Sequence, residues 1–130
     1  MLAHEVPALV ERYEAVAPGG LIAAVWYDGG EYDLVHVRED FEEAYSSEEL
    51  EEKTKQLVVE GLSDSKRPES FRMYGEMNVA IRSFENAVVL HFPVDDFAGI
   101  ALSFDTDAAT SLDTLVAIGL DHFESLDDGQ

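Results

Sequence analysis

The sequence predicts an α+β fold with two buried strands at the centre of its sheet. Two continuous apolar runs, LIAAVWY at residues 21–27 and AGIALSF at residues 98–104, are each too short for a helix. Such runs are typical of strands that are buried on both faces and therefore lie inside a sheet. The patterns along the rest of the chain give the element order helix, two strands, helix, three strands, helix.

The first predicted helix covers residues 3–17, where apolar side chains recur at helical spacing and charged side chains lie opposite them. Pro7 is expected in its first turn, where the missing N–H has no partner to lose. Pro18 and the glycine pair that follows it are expected to end the helix.

The second predicted helix begins within an acidic stretch, EDFEEAYSSEELEE at residues 39–52. Ser46 and Glu49 form an S-x-x-E capping box, in which each side chain accepts a hydrogen bond from the backbone N–H of the other residue. Tyr45 before the cap and Leu50 after it supply the hydrophobic staple. Most of these carboxylates therefore have a structural explanation, because acids in a first turn complement the helix dipole.

The last predicted helix follows Asp105-Thr106-Asp107, which we expect to cap it. Its apolar side chains recur at helical spacing, which predicts a buried stripe on one face. The stripe is expected to contain Ala108, Leu112, Leu115, Val116, Gly119 and Phe123.

Three further strands complete the predicted sheet. Residues 31–37 mix polar and apolar side chains, which indicates an edge strand, and the glycine pair before them forms a hairpin turn. Residues 71–84 and 86–93 are predicted to form the two strands that precede AGIALSF. The chain contains no repeat and no linker, so we predict a single domain over residues 1–130.

The composition restricts the classes of function. The chain has no Cys, which excludes disulfides, thiolate metal ligands and cysteine nucleophiles. No apolar run approaches the roughly 18 to 20 residues that span a bilayer, and the N-terminus is acidic where a signal peptide is basic. We therefore expect a soluble cytoplasmic protein.

The charge restricts the partners. The chain carries 28 acidic and 8 basic side chains, a formal net charge of -20. This charge repels nucleic acids and anionic membranes, so we expect neither as a partner. The acids are spread along the chain and do not form one acidic tail. Their spread favours adaptation to high salt, where a Debye length of ~3 Å screens the self-repulsion.

The element order, with the first and last strands central and adjacent, resembles that of the roadblock and dynein-light-chain superfamily. The resemblance implies a five-stranded antiparallel sheet in the order 2-1-5-4-3, with LIAAVWY and AGIALSF as the inner pair. It covers almost the whole chain and rests on topology, with no sequence motif. Profilin-like and GAF-like sensor domains have a related order and are the structural alternatives.

Three phrases of the sequence are similar to a family of small, uncharacterised haloarchaeal proteins. They are YDLVHVREDFEEAYSSEEL, the EGL at the end of the second helix, and MNVAIRSFENAVVLHFP. The similarity covers residues 25–104 and supports the high-salt interpretation. It implies no activity.

No residue pattern indicates catalysis, a metal site or a cofactor. The four histidines, His4, His36, His91 and His122, show no H-x-H or H-x-x-x-H spacing. His91 lies in an apolar strand, VVLHFP, and we expect it to be structural. Acidic pairs such as Asp95-Asp96 arise by chance in so acidic a chain. We therefore predict no catalytic residue, no metal ligand and no cofactor.

Arginine is scarce, which makes Arg38, Arg72 and Arg82 informative. Positions ten apart in one strand face the same side, so Arg72 and Arg82 would lie together on the strand predicted at 71–84. One interpretation is salt bridges with nearby acids. The other is a contact with an anion or a partner carboxylate, for which Arg72 and Arg82 are the candidates.

The first hypothesis for the function is a non-enzymatic interaction module that acts as a homodimer. In roadblock-like proteins the third strand and the second helix form the dimer interface, and the resemblance implies the same surface here. Long adaptable apolar side chains on a predicted edge strand support it. The candidate interface residues are Phe71, Met73, Tyr74, Met77 and Leu57. A different protein partner could use the same surface.

The second hypothesis is a small-ligand sensor with a pocket between the sheet and the helices, near Trp26, Tyr27 and His91. The aromatic pair at the end of a central strand motivates it. We expect no enzymatic activity, because the sequence contains no catalytic motif.

Overall fold

The computed structural model describes residues 2–64, 73–108 and 111–128. Its elements are α1 (Leu2–Val16), β1 (Leu21–Asp28), β2 (Glu31–Val37), α2 (Glu39–Ala44), α3 (Ser47–Asp64), β3 (Ala80–Ser83), β4 (Ala87–Asp95), β5 (Ala98–Asp105) and α4 (Leu112–Asp128). The strands form one antiparallel sheet in the order β2-β1-β5-β4-β3. The predicted fold class, strand order and order of main elements are confirmed, with the short helix α2 added.

The inner strands are β1 and β5, as the two apolar runs predicted. β1 pairs with β2 on one side and with β5 on the other, where Tyr27 lies opposite Gly99. Both strands are buried along most of their length. Because helices cover both faces of the sheet, these strands have no wet face and their sequences do not alternate.

The main core lies on the face of the sheet that α1 and α4 cover. Its buried members include Leu9 and Tyr13 of α1, Leu115 of α4, and Phe92 and Phe104 of the sheet. The Tyr13 ring meets the Phe104 ring edge-on at 5.0 Å, and its hydroxyl donates to the Leu115 carbonyl oxygen at 2.7 Å. Burial raises the pKa of Tyr13 above its ordinary value, so the hydroxyl remains a donor. One side chain thus joins both helices to the sheet.

Helix α3 covers the opposite face of the sheet, over β1, β2 and β5. It approaches the sheet closely at Gly61. A Cβ added there would lie 3.0 Å from His91 Nε2 and 3.0 Å from the Tyr27 hydroxyl. The missing side chain of glycine therefore permits this packing.

The capping box at the start of α3 is confirmed. Glu49 Oε1 accepts a hydrogen bond from the Ser46 N–H at 2.9 Å, and Ser46 Oγ accepts one from the Glu49 N–H at 3.1 Å. The bond from the Ser46 backbone favours the charged carboxylate and lowers the pKa of Glu49. All of these contacts lie within four consecutive residues, which is why the sequence predicts them.

The final helix begins later than predicted. α4 starts at Leu112, and Ser111 Oγ accepts the capping hydrogen bond from the Thr114 N–H at 3.3 Å. Asp105 was expected to cap this helix. It is instead the last residue of β5 and pairs with Arg38.

The predicted stripe of α4 is buried only from Leu115 onward. Ala108 precedes the helix, and Leu112 is 40% exposed. Leu115 and Gly119 are buried and Phe123 is half-buried. The stripe starts late because its first turn lies beyond the edge of the core.

Pro7 lies deeper in its helix than predicted. α1 begins at Leu2, so Pro7 falls in the second turn and not in the first. Its missing N–H leaves the carbonyl of Ala3 without a helical partner, and Ala3 is exposed, where water can replace that partner. No helix in the described part of the chain has the length and apolar character needed to cross a membrane.

The strand predicted at residues 71–84 is much shorter in the structure. β3 contains only Ala80–Ser83, which pair with β4. Residues 73–79 lie outside the sheet, and Gly75 has a φ of +84°, a conformation that ends an extended strand. The strand prediction is therefore wrong for residues 73–79, while Phe71 and Arg72 lie outside the described residues.

We expect Gly119→Ala to lower the free energy of unfolding by about 1–3 kcal/mol, because it overpacks the core. A Cβ at Gly119 would lie 2.2 Å from Cζ of the buried Phe92 ring. This overlap should outweigh the ~1 kcal/mol that Ala gains over Gly in a helix. Urea denaturation would compare it with Gly30→Ala, where nothing lies within 4 Å of the new Cβ. Equal losses in the two variants would contradict the packing described here.

Candidate functional site

Trp26 and Tyr27 are divided between the two faces of the sheet, as neighbours in a strand are. Trp26 packs against the core under α1 and α4, and Tyr27 points towards α3. The Tyr27 hydroxyl oxygen lies 2.6 Å from His91 Nε2, within hydrogen-bond distance, and the two rings stack with centroids 5.8 Å apart. Tyr27 and His91 therefore form one cluster, which Trp26 does not join.

Two glycines accommodate this cluster. Tyr27 on β1 reaches His91 on β4 across the intervening strand β5, where Gly99 has no side chain. A Cβ at Gly99 would lie 2.7 Å from the Tyr27 hydroxyl oxygen, and Gly61 of α3 packs on the same pair. Tyr27 is 0% exposed and His91 is 2% exposed. These two side chains thus fill the space in which the sequence predicted a pocket.

A cavity of about 370 Å³ lies elsewhere on the same face, beneath α3 and on the N-terminal side of Gly61. Its floor is formed by side chains of the sheet and its roof by side chains of α3, and Phe41 of α2 contributes to its wall. The floor includes Ile22, Ala23, Val89 and Ser103, and the roof includes Leu50, Thr54 and Leu57. Ligand sites in proteins begin at about 300 Å³, so this cavity has the size for a small molecule.

The exposed lining residues indicate where the cavity opens. They are Lys53, Gln56 and Glu60 on α3 and Phe84 just after β3. We call the opening between them the mouth of the cavity. Glu60 Oε2 lies 2.9 Å from Arg82 Nε, so its charge is compensated. Lys53 Nζ lies 4.7 Å from the centroid of the Tyr45 ring, a cation–π contact.

The predicted interface residues occupy two different environments. Met73 and Tyr74 are 80% and 76% exposed, so they present apolar surface to solvent. Leu57 and Met77 are half-buried, and Leu57 also lines the cavity. Phe71 lies outside the described residues.

Sequence reasoning missed three exposed apolar residues on or close to the edge strand β3. They are Val59 of α3, Ile81 of β3 and Phe84, which follows β3. Ile81 pairs with Leu90, whereas Arg82 reaches Glu60 on α3, so successive residues of β3 face opposite sides. The alternation in AIRSF was the available signal, because an edge strand with apolar residues on both faces cannot bury them all.

Arg38 positions α2 beside the cavity. Its Nε and Nη2 donate to the two carboxylate oxygens of Asp40 at 2.7 and 3.0 Å, and its Nη1 donates to Asp105 and to the Gly19 carbonyl oxygen. The bond from Arg38 lowers the pKa of Asp40 below its ordinary value. Arg38 Cζ also lies 5.4 Å from the centroid of the Phe41 ring. The salt-bridge interpretation therefore holds for this arginine.

The predicted anion contact concerned Arg72 and Arg82. Arg82 lies on β3 and its guanidinium faces Glu60, while Arg72 lies outside the described residues. The anion contact of these two arginines therefore stays a prediction.

Two other histidines, the half-buried His36 and the buried His122, lie next to charged side chains. His36 Nε2 lies 3.4 Å from Glu14 Oε1, and His122 Nδ1 lies 3.5 Å from Arg12 Nη1. Burial, and secondarily the positive charge of Arg12, lowers the pKa of His122. Among the side chains that the structure describes, no three of His, Cys, Asp or Glu form a group that could hold a metal ion.

The fold and the cavity together define a small α+β protein with helices on both faces of an antiparallel sheet and a ligand-sized cavity under one of them. The chain belongs to the family described as "Domain of unknown function (DUF7522)", whose model matches residues 7–124. Comparison with curated proteins finds no significant match, and comparison with solved structures finds none either.

We expect Tyr27→Phe to lower the free energy of unfolding by about 1–2 kcal/mol, because it removes a buried polar partner of His91 and keeps the ring. The matched control is Tyr32→Phe, whose hydroxyl is exposed and lies 3.4 Å from Glu51 Oε1. That variant should change stability by less than ~0.5 kcal/mol. Urea denaturation at fixed salt measures both, and similar values for the two variants would show that the Tyr27–His91 contact contributes little.

Proposed function

We propose that the protein is a non-enzymatic interaction module that forms a homodimer through α3 and β3. The observation that carries the proposal is a set of exposed large apolar side chains around the edge strand, which we call the β3 surface. Its members are Val59, Met73, Tyr74, Ile81 and Phe84. Isolated exposed apolar residues are ordinary, and the reason to propose an interaction surface is that five of them occur on α3, on β3 and in the segments next to β3.

The position of β3 in the sheet supports this proposal. β3 pairs with β4 and has no strand on its other side within the described residues. An open strand edge accepts another strand readily, from a second copy or from a different protein. The resemblance to the roadblock superfamily implies the same surface, and membership of that superfamily is part of the proposal.

The proposal extends to the habitat. We place the protein in the cytoplasm of a haloarchaeon, because a net charge of -20 on 130 residues is tolerable where salt screens it. Two copies with this charge repel each other in dilute buffer, so the dimer should require high salt. The same charge argues against nucleic acid and anionic membranes as partners.

The cavity beneath α3 favours a second candidate function, a small-ligand sensor. Its volume of about 370 Å³ lies within the range of small-molecule sites, and most of its lining is apolar. Phe84 belongs both to the cavity and to the β3 surface, and Leu57, which the sequence predicted at the interface, lines the cavity. A ligand in the cavity would therefore touch residues close to the interface, so the two functions are compatible.

We expect Phe84→Lys to convert the dimer to a monomer in molar KCl, because it places a charge within the β3 surface. The matched control is Phe97→Lys, which is 63% exposed in the turn between β4 and β5, beside the β1–β2 hairpin. That variant should remain dimeric. Sedimentation velocity measures both, and an unmodified chain that stays monomeric at high concentration in molar KCl would refute the homodimer.

We expect replacement of Glu42, Glu48 and Glu52 by Gln to raise the melting temperature in dilute buffer and to change it little in molar KCl. The reason is that the Debye length falls from ~10 Å at 0.1 M salt to ~3 Å at 1 M, which screens the repulsion that these charges add. Ser46→Ala provides the contrast, because loss of a local cap should cost about 1 kcal/mol at every salt concentration. Loss of the dimer in the triple variant in molar KCl would mean that these carboxylates form a binding site.

A further inference from the structure

We propose that the cavity beneath α3 binds a small amphipathic monocarboxylate. Its apolar body would lie inside the cavity, and its carboxylate would lie at the mouth, against the Lys53 ammonium. The inference rests on the second candidate function, the small-ligand sensor, and adds the chemical class of the ligand. It depends on three features of the cavity, which are its apolar interior, the single lysine of its lining and its lack of sites for larger anions.

The interior of the cavity suits an apolar body. Small or apolar side chains such as Ala23 and Val89 form the floor, and Leu57 lies above them. Thr54 is the polar residue of the buried roof, and its Oγ1 already donates to the Leu50 carbonyl oxygen at 2.8 Å. Ser103 is the polar side chain of the floor, and a ligand rich in hydroxyls or amides would lose more hydration there than this one hydroxyl can replace, which disfavours sugars and nucleobases.

The mouth of the cavity supplies one cation, Lys53, that forms no ion pair in the described part of the chain. Arg82 compensates Glu60 across the mouth at 2.9 Å. The Lys53 Nζ rests over the Tyr45 ring. The Glu49 carboxylate, one helical turn before Lys53, is engaged in the capping box, where its Oε1 accepts the Ser46 N–H at 2.9 Å. The Lys53 ammonium can therefore donate hydrogen bonds to the carboxylate of a ligand.

The single cation also limits the charge of the ligand. A phosphate or a dicarboxylate needs two or more donors, and the cavity lining offers one lysine and no arginine. The net charge of -20 adds a repulsion that grows with the charge of the ligand. One carboxylate on an apolar body is the anion that meets both conditions.

Titration of the 15N-labelled protein followed by NMR tests the inference with three probes of equal chain length, namely octanoate, 1-octanol and octylammonium. The KCl concentration should be the lowest at which the fold is retained, because salt screens the Lys53 charge. We expect octanoate to shift the backbone amides of Ala23, Val89 and Ser103. We expect 1-octanol to bind about fivefold more weakly at the same residues, and octylammonium at least tenfold more weakly.

Matched variants separate the charge from the cavity. Lys53→Met should weaken octanoate about fivefold and leave 1-octanol unchanged, whereas Lys55→Met, on the exposed side of α3, should leave both unchanged. Ser103→Leu fills the cavity and should abolish binding of every probe. Because Lys53 is exposed, its variant tests the inference even if Ser103→Leu does not fold.

The outcomes distinguish the ligand class from the site. Equal affinity for octanoate and 1-octanol would show that the site does not recognise a carboxylate. An equal effect of the two lysine variants on octanoate affinity would show the same, and in both cases the cavity would be a purely apolar site. The absence of any shift at Ala23, Val89 and Ser103 would overturn the sensor function as well, without bearing on the dimer. If probe affinity fell as protein concentration rose, a side chain of a second copy would be the occupant, which would also overturn the inference.

Discussion

The contact between Tyr27 and His91 is the constraint on which the position of α3 depends. It joins β1 to β4 across β5, and it requires a residue without a side chain at Gly99 below it and at Gly61 above it. At this contact α3 packs directly on the sheet, with Gly61 of the helix against Tyr27 and His91. The preceding turns of α3 lie above small floor residues such as Ala23, and the cavity occupies the space between them. The close contact at Gly61 and the cavity beneath the preceding turns of α3 thus lie side by side under the same helix.

Features with a local cause could be predicted from the sequence. The capping box of Ser46 and Glu49 depends on four consecutive residues, so the chain forms it wherever the helix lies. The inner strands β1 and β5 were predictable because only strands covered on both faces are apolar without alternation. With these two strands at the centre few strand orders are possible, and the order that the resemblance to the roadblock superfamily implied is confirmed.

Features that depend on distant parts of the chain could not be predicted. Asp105 has the residue type of a helix cap, but Arg38 from another part of the chain binds it and Ser111 caps the helix. The cavity lies beneath α3, beside a close helix–sheet contact that requires two glycines far apart in the sequence, Gly61 and Gly99. The β3 surface was found only in part, because the alternation in a strand of four residues is too short to indicate which faces remain uncovered.

The face under α3 is closed at Tyr27 and His91 and open beneath the preceding turns of the helix. A crystal structure of the protein pressurised with xenon tests this arrangement directly, because xenon binds in apolar cavities. We expect xenon between Ala23, Ser103 and Leu57 and none beside the Tyr27–His91 contact. Xenon beside Tyr27 and His91, with an empty space beneath Leu57, would contradict it.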